Sequence, residues 1–200
     1  MLKNYARETG IQYVAGIDEV GRGSFAGPVV TAAVILPPEF EHELIKDSKK
    51  LTEKQRREAY QIIVDNAIAY SIQAGSAKLI NEIGINPATF DTMHKCLDTL
   101  DIKPNHILID GTQWVDWNNI PHTCVVKGDD TYLSIAAAAI LAKVKRDEYM
   151  TKVHEVHPHY NFAGSKGYYC KKHGEGLLQY GPCSYHRTQY VETWMKKQTK

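Results

Sequence analysis

A mixed α/β sheet with helices on its faces is the fold class predicted for this chain of 200 residues. Three observations carry the prediction. Short apolar, β-branched runs come first in the chain. Strands then alternate with segments of helical period, the pattern of an α/β domain. Three of these elements end in, or carry, a carboxylate at the edge of what reads as core.

Residues 13–18 form a short apolar run closing in Asp18 and Glu19, read as a strand. Residues 28–36 are apolar and β-branched and are stopped by Pro37-Pro38. The glycines at 16, 21, 23 and 27 bracket the connection between the two, which is expected to be a hairpin or wide turn. Thr52 starts a helix with Gln55 as capping-box partner, and Tyr60, Ile63, Val64, Ala67 and Ile68 follow helical spacing. Residues 70–77 alternate as a third strand. Residues 87–100 read as a helix with Phe90, Met93 and Leu97 on one side. Residues 106–110 and 122–126 are strands, the first ending in Asp110. Asp130 or Thr131 is expected to cap a long helix to about Val156, with a stripe of Leu133, Ala136, Ala137, Ile140, Leu141 and Val144. Pro158 ends it, and two short helices are expected near 172–180 and 186–197. No repeat or linker divides the chain. The expected organisation is an α/β part over 1–157 with a helical extension over 158–200 packed on it as one structural unit.

Hydrophobic residues make up 43% and charged residues 24%, values that call for neither a fibrous nor a disordered chain. No apolar run approaches a membrane span, and residues 1–10 have no apolar signal core, so secretion is not expected. Cys96, Cys124, Cys170 and Cys183 form no C-x-x-C pair, which argues against a cysteine zinc site or a disulfide framework and fits a reducing cytoplasm. The net charge of +1 hides an asymmetry: from Lys143 onward 11 Lys and Arg face 5 Asp and Glu (+6), leaving 13 against 18 (−5) before it. A basic C-terminal quarter suits phosphates, and equally a solvated helical surface. No heptad or exposed apolar stripe argues against a monomer.

Asp147 lies on the inward stripe of the long helix, 14 residues after Leu133 and 7 after Ile140. An isolated buried carboxylate needs a partner or a metal. If Asp18, Glu19, Asp110 and Asp147 converge, their repulsion calls for a divalent cation, and oxygen ligands select Mg2+ or Mn2+ over zinc. Two such ions are the common device for phosphodiester hydrolysis. The alternatives stay open: strand-end acids are often turn residues or caps, and Asp147 can pair with Lys143. Strand parity adds a constraint, because Asp18 and Glu19 reach one site only if the chain twists or bends at Glu19. His154, His157 and His159 form a dense group that Pro158 keeps from converging on zinc. His173 and His186 are placed near phosphate.

The stretch Gly16-Ile17-Asp18-Glu19-Val20-Gly21-Arg22-Gly23, with Ala26-Gly27-Pro28 after it, resembles the signature of the type 2 ribonuclease H (ribonuclease HII) family. The resemblance continues through Asp47-Ser48-Lys49-Lys50-Leu51, Leu108-Ile109-Asp110-Gly111, Lys127-Gly128-Asp129 with Ser134-Ile135-Ala136-Ala137-Ala138, Ala142-Lys143-Val144 with Arg146-Asp147, Lys166-Gly167-Tyr168, and Tyr180-Gly181-Pro182 with His186-Arg187. The blocks keep the family's order over nearly the whole chain.

The resemblance implies a ribonuclease H-like sheet, three antiparallel strands followed by parallel ones, with a small helical C-terminal part. It implies an endonuclease for RNA–DNA hybrids and for duplex DNA with embedded ribonucleotides, cutting 5′ to the ribonucleotide and leaving 3′-hydroxyl and 5′-phosphate ends. Asp18, Glu19, Asp110 and Asp147 match the family's metal-binding acids, with Mg2+ or Mn2+ as cofactor and two ions expected. Asp18 would be shared by both ions, Glu19 and Asp110 would hold the ion on the leaving-group side, and Asp147 the ion that activates water. Gly21, Arg22 and Gly23 match the loop that meets the ribonucleotide, where glycines admit close approach to the sugar and the 2′-hydroxyl marks RNA. Tyr168 matches the tyrosine that packs at the RNA–DNA junction. Ser48, Lys49, Lys127, Ser134 and Lys143 sit in matching blocks as phosphate contacts. A replication clamp is a partner the sequence leaves open. Val20, Ser24-Phe25, Asp130 and Ala139 depart from the pattern, the last two bearing on metal affinity and substrate positioning. The sister type 3 enzyme, which prefers long hybrids and carries an N-terminal substrate-binding domain, is the alternative; the Gly-Arg-Gly loop and the short segment before the first strand argue against it. A hybrid-binding module without turnover is the other.

Overall fold

The computed structural model describes residues 1–198. Its elements, in chain order, are α1 (Tyr5–Thr9), β1 (Val14–Val20), β2 (Val29–Ile35), α2 (Glu53–Asn66), β3 (Ala69–Gly75), α3 (Ala77–Ile83), α4 (Ile85–Asp98), β4 (His106–Asp110), β5 (His122–Val125), α5 (Leu133–Val156), α6 (Phe162–Ser165), α7 (Lys171–Tyr180) and α8 (Thr188–Gln198). The five strands form one sheet in the order β3-β2-β1-β4-β5. β1, β2 and β3 pair antiparallel, and β4 and β5 join parallel to β1. The mixed sheet expected from strand order is therefore the one observed.

Most predicted elements are present, with informative exceptions. Thr52 caps α2 in the expected capping box with Gln55. The helix predicted over 87–100 starts earlier, at Ile85, because Pro87 lies in the first turn, where amide hydrogens have no helical partner to lose. α3, capped by the Ser76 hydroxyl, was not predicted, nor was α1, capped by Asn4. Neither Asp130 nor Thr131 caps α5: Tyr132 stands at its N-cap without a side-chain bond. Asp130 instead pairs with Lys50, which offsets its added negative charge.

The core lies on both sheet faces. On one, Val30, Ala32 and Val34 of β2 meet α2 and α5; on the other, Ile17, Ile35, Ile107 and Ile109 meet Met93 and Leu97 of α4. α5 departs from the single stripe expected. Ile135 through Ala142 are all buried, because the helix is sandwiched between the sheet and α2. Its alanines permit this approach, and Gly16 completes it: a Cβ there would overlap the Ser134 backbone. The segment after Pro158 is tied to the β1–β2 connection by main-chain bonds, Gly27 N–H donating to Tyr185 O at 2.8 Å and Arg187 N–H to Phe25 O at 2.8 Å. No described helix is long and apolar enough to cross a membrane.

Candidate active site

Strand parity brings the first two acids together. Gly16 lies beside Leu108 and Ile17 beside Ile109 across the parallel β1–β4 pair. Val14 and Leu108 face α5, packing with Ile135. Two residues on from Gly16 and Leu108, Asp18 and Asp110 therefore emerge on this same face.

Asp18 is buried, and its carboxyl is pushed well above the usual carboxylate range, first by burial and then by the charges of Glu19, Asp110 and Asp129. The Glu19 N–H donates to Asp18 Oδ1 at 2.6 Å and opposes the shift. Glu19 is also raised, by burial and then Asp110, against the pull of the Arg22 guanidinium 3.2 Å away. Asp110 is raised by burial and by Asp129, while Gly128 N–H, donating at 2.7 Å, favours its charged form. The pairing runs regularly through Glu19–Thr31 and Val20–Val30, so the ladder shows no break at Glu19, where a twist or bend was the condition for both acids to reach one site. Glu19 reaches the group from the strand end, where its carboxylate meets Arg22 of the following loop.

Asp147 is placed differently from the expectation. It is half-buried and held by Lys143 at 2.7 Å, the local alternative weighed for it, and the fully buried residue at that turn of α5 is Arg146. Among the described residues no three His, Cys, Asp or Glu side chains already form a metal-holding group. Each acid instead keeps its own partner: Asp18 a main-chain N–H, Glu19 an arginine, Asp110 another N–H, Asp147 a lysine. The donor set of Asp18, Glu19 and Asp110 still fits a hard divalent cation. All donors are carboxylate oxygens, and burial first, then neighbouring carboxylates including Asp129, raises all three pKa values, a penalty on the charged forms that a cation relieves.

The Gly-Arg-Gly loop stands on two fully buried guanidiniums. Arg146 donates to Pro28 O (2.9 Å), Lys166 O (2.7 Å), Ser24 Oγ (2.7 Å) and Ala26 O (3.1 Å). Arg187 donates to Arg22 O (2.7 Å) and twice to Gly27 O (3.1 and 2.9 Å). Buried charges persist only when fully hydrogen-bonded, and here carbonyls supply the bonds. Burial and the neighbouring Arg146 lower Arg187 to about 10, which leaves it charged at neutral pH. Gly21, at φ 100°, packs directly on the Arg146 side chain, so a Cβ there has no room.

A cleft of about 380 Å³ gathers most of the predicted residues: Glu19, Gly21, Arg22, Gly23, Ser48, Lys49, Lys143 and Tyr168 line it together with Val20. Lys49 joins it to the acids through a 3.2 Å ion pair with Asp129. Tyr168 is 37% exposed, with its ring 5.2 Å from the Arg146 guanidinium. Asp18, Asp110, Asp147, Lys127 and Ser134 stand outside this lining. Lys127 is exposed in the left-handed conformation, and the Ser134 main chain packs on Gly16. A larger concavity of about 430 Å³, lined by Phe25, Tyr190, Trp194 and polar residues of α8, contains no carboxylate.

His173 and His186, expected near phosphate, are buried against each other and cannot serve there. His157 and His159 stand ring to ring at 6.1 Å with perpendicular planes. Asp129 went unremarked in the sequence. It is buried beside Asp18 and Asp110, and its only signal was its place in the Lys127-Gly128-Asp129 block. Arg146 and Arg187 carried no sequence signal of burial, since each is a charged residue in a polar context.

The family model described as ribonuclease HII matches residues 15–195. A ribonuclease HII of Bacteroides thetaiotaomicron is 48% identical over 176 residues, covering 88% of each chain. Among solved structures, the ribonuclease H2 of Pyrococcus horikoshii superposes with a TM-score of 0.76 at 28% identity, covering 89% of this chain and 93% of that one. The ribonuclease HII of Archaeoglobus fulgidus, solved in complex with PCNA, gives 0.74 at 26% identity, over 88% and 94%. Bst-RNase HIII in complex with Mn2+, at 19% identity and a TM-score of 0.70 over 96% of this chain and 73% of that one, shares the fold.

Proposed function

The chain belongs to the ribonuclease HII family, a ribonuclease H enzyme, and from that premise we propose that it hydrolyses the RNA strand of RNA–DNA hybrids and cuts 5′ to single ribonucleotides in duplex DNA, leaving 3′-hydroxyl and 5′-phosphate ends. The observation that carries the finer part is the cleft. The Gly-Arg-Gly loop, Tyr168 and the carboxylate of Glu19 line one concavity, so a residue that touches the sugar lies beside a residue that serves the scissile phosphate.

In this reading Gly21 and Gly23 let main-chain groups meet the 2′-hydroxyl without side-chain interference. Arg22, bridged to Glu19 and to Asn86 Oδ1 at 2.6 Å, holds the loop's outer edge. The Tyr168 ring offers a flat face to the neighbouring deoxyribose. Lys49 and Lys143 offer positive charge to phosphates on either side of the cut. Asp18, Glu19 and Asp110, with Asp147 on its lysine, are the residues that would hold Mg2+ or Mn2+. Bound divalent cations supply Lewis acidity and lower the pKa of a water. Before any cation binds, the raised carboxyl groups must lose their protons, so occupancy rises with pH. The Archaeoglobus complex with PCNA extends the proposal to a sliding-clamp partner, with the enzyme itself monomeric.

The test is cleavage of an end-labelled DNA duplex carrying one ribonucleotide, in magnesium, in manganese and in chelator, with Asp110→Asn as control. One cut 5′ to the ribonucleotide, lost in chelator and in the variant, is the expected result. Cutting of a continuous hybrid without that cut would assign the chain the long-hybrid preference of the type 3 enzymes. Binding without any cut would leave a hybrid-binding module.

A further inference from the structure

Both main-chain polar groups of Tyr168 are held. Its N–H donates to Ser165 O at 3.0 Å, and its carbonyl lies 2.9 Å from His173 Nδ1. His173 is fully buried in α7, and its Nε2 lies 3.0 Å from Nε2 of His186, which is also buried. At the far side, Cys183 N–H approaches His186 Nδ1 at 2.9 Å. All four ring nitrogens thus have partners.

Those partners fix where each proton sits. A carbonyl can only accept, so His173 carries its hydrogen on Nδ1 and presents a lone pair at Nε2. A main-chain N–H can only donate, so His186 presents a lone pair at Nδ1 and carries its hydrogen on Nε2. The two ends were assigned independently, and they agree in the middle: His186 Nε2–H donates to His173 Nε2. A third proton on either ring would set N–H against N–H. The surroundings oppose it as well, because the rings of Phe25, Tyr160 and Phe162, the Cys183 thiol, and His157 and His159 face the pair and none brings a negative charge. Burial lowers both imidazoles, His186 to about 4, which keeps the pair neutral at pH 7.

We propose that His173 and His186 form a relay locked in one tautomeric state that sets the position of Tyr168 against the Gly-Arg-Gly loop, making the pair positioning residues for recognition of the ribonucleotide junction; this rests on the reading of Tyr168 given above. The far end of the relay is tied to α3 and to the segment that follows the Gly-Arg-Gly loop. The His186 carbonyl is held by Asn81 Nδ2 at 3.2 Å, and the next residue's N–H donates to Phe25 O, two residues beyond Gly23. Imidazole suits the task because it accepts on one edge and donates on the other. Two of them in series join a donor on one segment to an acceptor on another that direct contact could not bridge.

The first test needs no variant. Two-bond 15N–1H correlation spectra of the wild-type protein at neutral pH will show His173 neutral with its proton on Nδ1 and His186 neutral with its proton on Nε2. The opposite tautomer, or a protonated ring at either position, overturns the relay. The second test is kinetic, on duplex DNA with one ribonucleotide. His173→Phe lowers kcat/KM about tenfold, the worth of one positioning hydrogen bond, mainly through KM. His173→Asn, which returns a donor at the Nδ1 position, restores most of it, and His173→Gln, whose donor lies too far out, does not. Comparing Asn with Gln keeps the test decisive should the Phe variant fail to fold: equal rates for the two overturn the proposal. Tyr168→Ala separates the two layers. If it leaves kcat/KM unchanged, the contact assigned to Tyr168 is wrong. If it costs activity while folded His173 variants do not, the relay is wrong and that contact stands.

Discussion

Asp110→Asn should make the metal-free protein more stable while destroying its activity. Asp18 and Asp110 stand on adjacent strands and one face, which puts their carboxylates on the order of 5 Å apart. At an effective dielectric of about 20, two such charges repel by about 3 kcal/mol. Asp110 is half-buried, and the raised pKa of Asp18 favours its neutral form, so screening and titration reduce the gain to about 1–2 kcal/mol. Asparagine keeps the Oδ1 that accepts from Gly128 N–H, so that bond is retained. For a chain of this length the expected rise in Tm is about 3–6 °C. The order reverses in saturating manganese: wild type gains about 3 kcal/mol at a hundredfold excess over Kd, and the variant, short of a ligand, gains less. The assay is thermal or urea denaturation of both proteins in chelator and in manganese. A variant less stable than wild type in chelator would show that the Asp110 contacts outweigh the repulsion. Parallel stabilisation of both proteins by manganese would refute the ligand assignment. The pH dependence has a fixed sign. A carboxyl group with a raised folded pKa holds its proton more tightly folded than unfolded, so its contribution is present at acid pH and is lost as pH climbs through the raised value. Metal-free wild type therefore loses stability over that rise, and Asp110→Asn loses less.

Three further outcomes follow from the supports of the site. Gly21→Ala places a side chain at φ 100° and against Arg146, and costs about 2–4 kcal/mol in urea unfolding with loss of cleavage at single ribonucleotides. Arg146→Met strips the carbonyls of Ala26, Pro28 and Lys166 of their shared donor, and lowers stability by about 3–5 kcal/mol in the same assay, whereas Lys145→Met, on the exposed side of α5, changes it by less than about 0.5 kcal/mol. His186, at about 4 when folded against 6.5, stabilises the protein at pH values above its unfolded pKa, and that contribution fades as pH falls between about 6.5 and 4; the urea midpoint of His186→Gln should change less over that window than that of wild type.

The amino-acid sequence by itself determined the mixed α/β class with helices on the sheet faces, the capping of α2 and the identity of the acids at the strand ends. These are local properties. Hydrophobic period, turn residues and capping signals act within a few positions, and the quoted motifs were legible for the same reason. Only the tertiary structure decided the rest. It showed residues 135–142 of α5 buried on every side, because that stretch is enclosed by a sheet and a second helix distant in sequence. It brought Asp129 beside Asp18. It put Arg146 and Arg187 in the interior, where carbonyls from separate segments supply their bonds, and it closed His173 onto His186 across 13 residues of chain. A charged or titratable side chain reads as surface in sequence because burial is costly without partners. Here the partners come from remote segments, and only the folded chain brings them together.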